Sequence, residues 1–484
     1  MPAPQGEQPQ TTGPAGAFSS GMASRARSAS LVAVALRLAH VLWVLVRLPK
    51  NYLVHRWKLR REPNAALRAL GSALVDACTD LGATFIKVGQ ILSARRDLLP
   101  AALADELATL QDRVPSFPFA QVREIVEGEL ARPIADLFHA FDPNPVAAAS
   151  IAQVHRAVWR KTGETVAVKV RRPDVLEKIQ LDRALLLAFA RWGERWFPSL
   201  RLVALEQAVA RFCDAVEAQA HLRVEAQNNR RFRQCFAGDP DIVFPALIEE
   251  ACTDRVLTME FVDGQRADAL PHPSFDQRHV VEAGVRAVGR MVFQHGFVHA
   301  DLHPGNLRFL PPHRIAILDL GLVAELDDAD RLMTARTLYA FATGDGVTVA
   351  RLFYENAPHR AVADYRAYEA EMVALVEDLR RKQLAAAELS LDIGRIFDVL
   401  RRHHIQARSH MTMVNVALVT AEGLGKRLDP ALNLAEAALP FIVEALALAS
   451  AMPRSAELGE ATRHAATGSA PAPQTEDGRA ENAG

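Results

Sequence analysis

Hydrophobic and polar positions change period several times along the chain, and each change predicts an element. Residues 31–48 are almost continuously apolar, with the polar exceptions Arg37, His40 and Arg47 at helical spacing on one narrow stripe. Two arginines and a histidine argue against a full membrane span, because an arginine at the bilayer centre costs roughly 3 kcal/mol. A signal peptide fits poorly, since no small-residue cleavage site follows. Two readings remain: an interfacial helix whose arginines reach toward anionic lipid, or a helix packed on the protein's own core. Residues 66–112 read as helices. Within them Leu81, Phe85, Val88 and Leu92 share one face, and Lys87 and Gln90 lie on a roughly opposite one. By periodicity alone Lys87 is a solvated surface lysine. A short helix follows over 117–130.

The period then shortens to two. Val154–Trp159 and Thr165–Val170 predict a strand pair joined by a Lys161-Thr162-Gly163 turn. Residues 174–232 are helical, 255–262 form a strand ending at Asp263-Gly264, and 281–295 are a helix. A short buried strand over 314–318 precedes further helices from about 331 to 428. The apolar stretch 434–452 is broken by Glu436, Pro440 and Glu444, which favours a packed or interfacial helix over a membrane span.

Composition adds bounds to this pattern. A chain of 484 residues exceeds one ordinary core, and half of it is hydrophobic, so two lobes with added helices are expected. The net charge of −1 gives no reason to expect nucleic acid. Four scattered cysteines without C-x-x-C spacing read as reduced thiols, with neither disulfides nor zinc. From Arg25 to Arg61 there are nine basic residues and no acidic one. The resulting division is a disordered start (1–28), a basic amphipathic helix (29–64), a helical extension (65–140), a sheet-bearing half (141–262), a helical half (263–452) and a disordered tail (453–484).

The chemistry concentrates in His299-Ala300-Asp301-Leu302-His303-Pro304-Gly305-Asn306 and Asp319-Leu320-Gly321. Asp301 and Asn306 stand five positions apart, the spacing of the protein-kinase catalytic loop. Such a loop sets a carboxylate beside the attacking hydroxyl or water and turns an amide oxygen toward a metal-bound nucleotide. The strand over 314–318 delivers Asp319 as a second metal ligand, because Mg²⁺ is a hard cation that bridges phosphates through oxygen. Upstream, Val166-Ala167-Val168-Lys169 supplies the lysine for the α- and β-phosphates. The loop before it carries Ala147, Ala148, Ala149 and Ser150 where kinases carry glycines. Alanine lets backbone approach a phosphate but gives up glycine's positive-φ freedom. Lys169 needs a carboxylate, and Glu225 is the first candidate, with Glu217 the second. Glu260 and Val262, near the end of the strand over 255–262, would offer hinge backbone to adenine. After Gly321 an acidic run leads straight into helix with no A-P-E, so the platform that docks peptides is missing.

With these residues in view, the chain resembles the UbiB/AarF family of atypical kinase-like proteins, related to mitochondrial coenzyme Q assembly proteins. The resemblance covers roughly residues 65–430. It rests on Lys87-x-Gly89-Gln90, the alanine-rich run from Ala147 to His155, Val-Ala-Val-Lys169, His-Ala-Asp-x-His-Pro-Gly-Asn and Asp-Leu-Gly. It implies an α+β, two-lobed protein-kinase-like fold: a small β-rich N-lobe, a helical C-lobe and an N-terminal helical extension over the active site. It also implies Mg²⁺ and ATP as cofactors, ATPase activity, and a supporting role in isoprenoid quinone (ubiquinone) biosynthesis. The location expected is cytoplasmic and peripheral to the inner membrane, with an anionic membrane or isoprenoid lipid and quinone-biosynthesis proteins as partners. Lys87 and Gln90 then become regulatory, Lys87 reaching into the site and blocking peptides. Where the family carries E-x-D before its helix glutamate, this chain has Gln219-Ala220-His221. The resemblance therefore sets Gln219 opposite Lys87 as a neutral partner, unless Glu217 substitutes. Two other readings compete: a small-molecule phosphotransferase of the aminoglycoside or choline kinase type, and a non-catalytic nucleotide-binding scaffold.

Overall fold

The structure, a computed structural model, describes residues 31–94, 99–111, 115–196, 205–270, 274–358, 360–383 and 389–408, then 411, 414, 417–418, 422–423, 425–426, 428–429 and 434–451. The ends expected to be disordered lie outside the described residues. Two compact units divide the chain: one takes everything up to Leu270 plus His303–Val323, the other takes Pro271–Leu302 and the chain from Ala324 onward.

The first unit opens with α1 (Leu31–Lys58), α2 (Ala65–Leu81), α3 (Ala83–Ala94), α4 (Ala101–Ala108), α5 (Phe119–Leu130) and α6 (Ile134–Leu137). Next come β1 (Phe138–Ala148), β2 (Ala152–Trp159), β3 (Thr165–Arg171), α7 (Val175–Trp196), α8 (Leu205–Gln219), α9 (Leu222–Cys235), β4 (Ile242–Val243) and β5 (Val256–Glu260). The second unit begins with α10 (Gln277–Gly289), a π-helical turn (Arg290–Gln294) and β6 (Phe297–His299). A 3₁₀ turn (Pro304–Asn306), β7 (Leu307–Leu310) and β8 (Arg314–Ile317) return to the first. After β9 (Val323–Glu325), the chain ends in α11 (Asp328–Thr343), α12 (Gly346–Glu355), α13 (Tyr365–Gln383), α14 (Leu389–Arg402) and α15 (Leu434–Ala451).

The main sheet is antiparallel in the order β1-β2-β3-β5. Alternation along β3 splits its side chains. Val166, Val168 and Val170 are buried against Val122, Ile125 and Val126 of α5. The alternate residue Ala167 packs with Leu222 and Ala226 of α9. β1 went unpredicted, and the reason is visible. It is an edge strand, mostly exposed, carrying Pro143 and Pro145, and proline is tolerated only where ladder bonds are not needed. The alanine-rich loop is accordingly shorter than expected: Ala147 and Ala148 end β1, and only Ala149–Ile151 turn the chain.

α1 is a helix packed on the protein's own core along one face. Of its polar stripe Arg37 is buried, while His40 and Arg47 are only half-buried. Arg37 donates to Asp182 of α7 at 2.7 Å and to the Leu81 carbonyl at 2.6 Å, between Val41 and Val44 packed on Ala77, Leu81 and Leu185. Arg37 is therefore a buried anchor and does not reach toward lipid. Arg47 stacks on Trp43 at 4.3 Å. The other face leaves Leu36, Trp43, Val46, Leu53 and Trp57 exposed. α3 also departs from its predicted single stripe. Phe85 joins the α1–α7 cluster, while Ile86 and Leu92 join Val75, Leu103 and Leu107 on α2 and α4. A helix packed on two sides buries residues that one-face periodicity assigns to solvent, and Lys87 is among them, 7% exposed.

In the second unit, Asp327 caps α11 by accepting from Asp330 N at 2.7 Å, so the acidic run after Gly321 is a helix start. α15 is a packed helix: its Phe441 ring lies where a Cβ on Gly289 would come within 2.8 Å.

One prediction follows from the α1 anchor. Removing one partner of a buried ion pair strands the other, so Asp182→Ala should cost about 3–5 kcal/mol in urea denaturation, while Arg37→Met with Asp182→Leu should cost far less. A loss below about 1 kcal/mol for Asp182→Ala would show the pair to be dispensable.

Candidate nucleotide site

β3 places Lys169 on its α9-facing side, and the first turn of α9 places Glu225 opposite. The Lys169 Nζ donates to both carboxylate oxygens of Glu225, at 2.9 and 2.8 Å, and to Asp319 Oδ1 at 3.0 Å. Burial works against the ammonium, but Asp319 and Glu225 outweigh it and raise the Lys169 pKa. Burial also raises Glu225, with Asp319 adding to it and Lys169 opposing. One cation shared by two carboxylates leaves a net negative, oxygen-rich cluster, the electrostatic profile of a cation site.

α9 also fixes the Asp319 turn. Asn228, one helical turn after Glu225, donates from Nδ2 to the Leu320 carbonyl at 2.8 Å, and the Leu320 amide donates to Glu225. Asp319 itself has a left-handed backbone, φ 50°, sparsely populated for a residue with a side chain. A Cβ on Gly321 would lie 3.3 Å from Asp319 Oδ1 and 3.6 Å from Glu225 Oε2, so a bare backbone keeps this pocket of oxygens open. The Asn306 carbonyl accepts from Leu318 N at 2.8 Å, which brings the 3₁₀ turn beside the segment that carries Asp319. Gly305 N donates to His303 Nδ1 at 3.1 Å and closes that turn. Asp319 offers hard carboxylate oxygens beside a lysine, and Asn306 carries an amide oxygen on the turn bonded to Leu318, donor types that fit Mg²⁺.

The remaining predicted residues have local contacts of their own. Asp301 belongs to the second unit, just after β6, where its amide donates to the buried His299 at 3.1 Å. Ala149 N donates to Ala152 O at 2.8 Å, and Arg172 holds the Ala149 carbonyl at 2.9 Å, so the turn carrying Ala149 and Ser150 is pinned. Glu260 N donates to Ala246 O at 2.7 Å, which takes that hinge amide into the fold; Val262 follows just past the end of β5. Gln90 donates to the Leu110 carbonyl at 3.1 Å, and a Cβ on Gly89 would sit 2.3 Å from Leu110 Cδ1. This half of the Lys-x-Gly-Gln motif is therefore packing against the residues after α4. Glu217 lies 3.7 Å from Arg183, and Gln219 ends α8.

Several residues escaped the sequence reading. Asn228 is one. Gln153 is another: it accepts from Phe117 N at 2.9 Å, donates to Phe117 O at 3.2 Å and meets His155 Nε2 at 2.9 Å. Because that amide nitrogen donates, His155 Nε2 accepts, and Nδ1–H donates to Asp142 O at 2.8 Å. Burial holds this imidazole below its usual range. The alanine-rich motif thus ends in a buried neutral histidine that ties β2 to β1. Only its place in a motif marked it.

Comparison with known proteins shows which family the chain falls in. Residues 109–353 match the ABC1 atypical kinase-like domain, and residues 372–433 match the UbiB helical domain. Two proteins named probable protein kinase UbiB, from Pseudomonas fluorescens strains SBW25 and Pf-5, are each 36% identical over 408 residues, covering 83% of this chain and 75% of theirs. A solved structure of Rv3197 from Mycobacterium tuberculosis with erythromycin aligns at 21% identity and TM-score 0.46, covering 71% of this chain and 88% of that one. The chain belongs to the ABC1/UbiB family of atypical kinase-like proteins, and its fold is kinase-like.

In Lys169→Met, Glu225 keeps the burial and the Asp319 charge that raise its pKa but loses the ammonium that lowers it. A carboxyl whose folded pKa lies above its unfolded value binds more protons when folded, so its stability falls as pH rises above the ordinary value of 4.5. The loss of melting temperature in Lys169→Met should therefore be larger at pH 8 than at pH 5. An equal loss at both would show that the two carboxylates are not coupled through the lysine.

Proposed function

We propose that this UbiB-family chain binds Mg-ATP and turns it over by hydrolysis or by phosphoryl transfer to a small or lipidic acceptor, in support of isoprenoid quinone biosynthesis at a membrane. The observation that carries the reading is the three-way contact of Lys169 with Glu225 and Asp319. Lys169, held by Glu225, takes the α- and β-phosphates, and Asp319 and Asn306 hold Mg²⁺. When bound, the ion neutralises charge on the phosphates. Ala147, Ala148, Ala149 and Ser150 offer backbone toward the phosphates, and Glu260 and Val262 bound the adenine side. Asp301 is assigned to the acceptor proton by its sequence spacing from Asn306. Lys87, held within the extension, serves as the regulatory residue, with Gln90 fixing its helix; Gln219 remains its proposed neutral partner. The Asp327 cap begins α11 six residues after Gly321, which leaves no length for a peptide platform.

The membrane part of the proposal rests on α1. It is long and apolar enough to cross a membrane by length and composition, yet its inner face is anchored to α2 and α7. The exposed face, with the basic residues at its C-terminal end, suits an anionic lipid surface.

In thermal-shift measurements Mg-ATP should stabilise the protein, and Asp319→Asn should remove that stabilisation; stabilisation that survived would exclude Asp319 as metal ligand. Generic peptides should be poor acceptors, and efficient peptide phosphorylation would contradict the missing platform. For the membrane, replacing Trp43, Val46, Leu53 and Trp57 with serine spares the Arg37 anchor and should lower co-sedimentation with anionic vesicles. Unchanged binding would remove α1 from the membrane contact.

A further inference from the structure

A second polar knot joins the two elements that carry Lys169 and Glu225. Residues two apart on a strand share a face, so Arg171 leaves β3 on the same side as Lys169, and both are buried. Arg171 Nη1 donates to the Asp254 carboxylate at 2.7 Å, to the Ala220 carbonyl at 3.0 Å and to the Asp254 carbonyl at 3.3 Å. The same carboxylate meets His221 Nδ1 at 2.9 and 3.0 Å, and the same carbonyl accepts from Leu222 N at 3.1 Å. Ala220, His221 and Leu222 form the corner between α8 and α9. The N-cap residue of α9, His221, makes no capping bond to the helix with its own side chain. The start of α9 is therefore satisfied from outside, by the loop before β5.

The position of that corner decides where Glu225 falls. Glu225 lies three residues beyond Leu222, less than one helical turn, so a rigid helix carries its carboxylate wherever the corner is held. Apolar packing does part of the holding: Ala220 sits among Ile151, Ile179 and Val216, and Leu222 against Leu257 and Met259. Such contacts are non-directional and tolerate small sliding and rotation, whereas hydrogen bonds to a planar guanidinium fix direction.

We propose that Arg171, Asp254 and His221 form a clamp that sets the register of α9 against β3 and keeps Glu225 on Lys169 before any nucleotide arrives. They are positioning residues and touch no substrate. The effect on nucleotide affinity rests on the reading of the Lys169 cluster as a phosphate site; the effect on α9 does not.

The test uses the full chain in two arms. In ligand-free protein, Asp254→Ala should speed amide hydrogen exchange across residues 222–228 while α5 and the strands keep wild-type protection. Should Asp254→Ala loosen the whole unit, Asp254→Asn, equal in volume, should give the local pattern at smaller amplitude. In the second arm, Mg-ATP affinity is measured for Asp254→Ala, Glu225→Gln and the double variant. Each single change should weaken binding about tenfold, the loss expected for one charge-assisted hydrogen bond. The double variant should be no weaker than the worse single, because one residue acts through the other. His221→Asn, which keeps a neutral donor toward Asp254, should recover affinity that His221→Ala loses. Multiplicative losses in the double variant, or unchanged exchange over 222–228 in both Asp254 variants, would overturn the clamp. Failure of the wild type to bind Mg-ATP would overturn the nucleotide reading instead, and the exchange arm alone would then decide the clamp.

Discussion

An ammonium group taken out of water persists inside a protein only with opposite charge at hydrogen-bond distance. Lys169 meets that constraint with two carboxylates, Glu225 lying 56 and Asp319 150 positions further along the chain. Three remote segments must therefore converge: a strand, a helix and the turn after β8. Much of the first unit can be understood as what that convergence requires. The alternation of β3 turns its valines to α5 and its lysine to α9. α9 presents Glu225 and Asn228 one turn apart, so one helix holds both the lysine and the Asp319 turn. Asp319 adopts a left-handed backbone, and Gly321 leaves its Cβ position empty.

The same logic of remote polar partners extends outward from the site. Arg37 and Asp182 lock α1 to α7, and Ala83 of α3 packs on the cluster that contains Ala220 and Ile151. The helical extension is thus continuous, through buried side chains, with the corner that starts α9 and with the turn that follows β1. A chain built this way has Lys169, Glu225 and Asp319 assembled in advance. Preorganisation of that kind lowers the ordering cost of binding, which suits the nucleotide binding proposed for this cluster.

What the sequence revealed and concealed follows from the range of each interaction. Local patterns were readable: the β2–β3 hairpin with Gly163 at φ 76°, the strand that carries Lys169, and the helix that carries Glu225. Glu225 was legible as the lysine's partner because an amphipathic helix offers few carboxylates on its inner face. Asn228, three positions after Glu225 and part of no motif, was not. β1 was hidden because an exposed edge strand with prolines lacks the alternation that betrays a strand. The inward turn of Arg37, the burial of Lys87 and the Arg171–Asp254–His221 knot were hidden for another reason. Their neighbours come from distant segments, 145 positions apart for Arg37 and Asp182 and 83 for Arg171 and Asp254, and no local periodicity encodes them.

The central claim is that the oxygens around Lys169 hold a divalent cation together with a nucleotide. Manganese serves as a paramagnetic substitute for magnesium, so the most direct measurement is an electron paramagnetic resonance titration of Mn²⁺ into the full chain, with and without a non-hydrolysable ATP analogue. Manganese should bind tightly only when the nucleotide is present and approach one ion per chain. Manganese that stays free in the presence of the analogue, or binds equally well without it, would contradict the account.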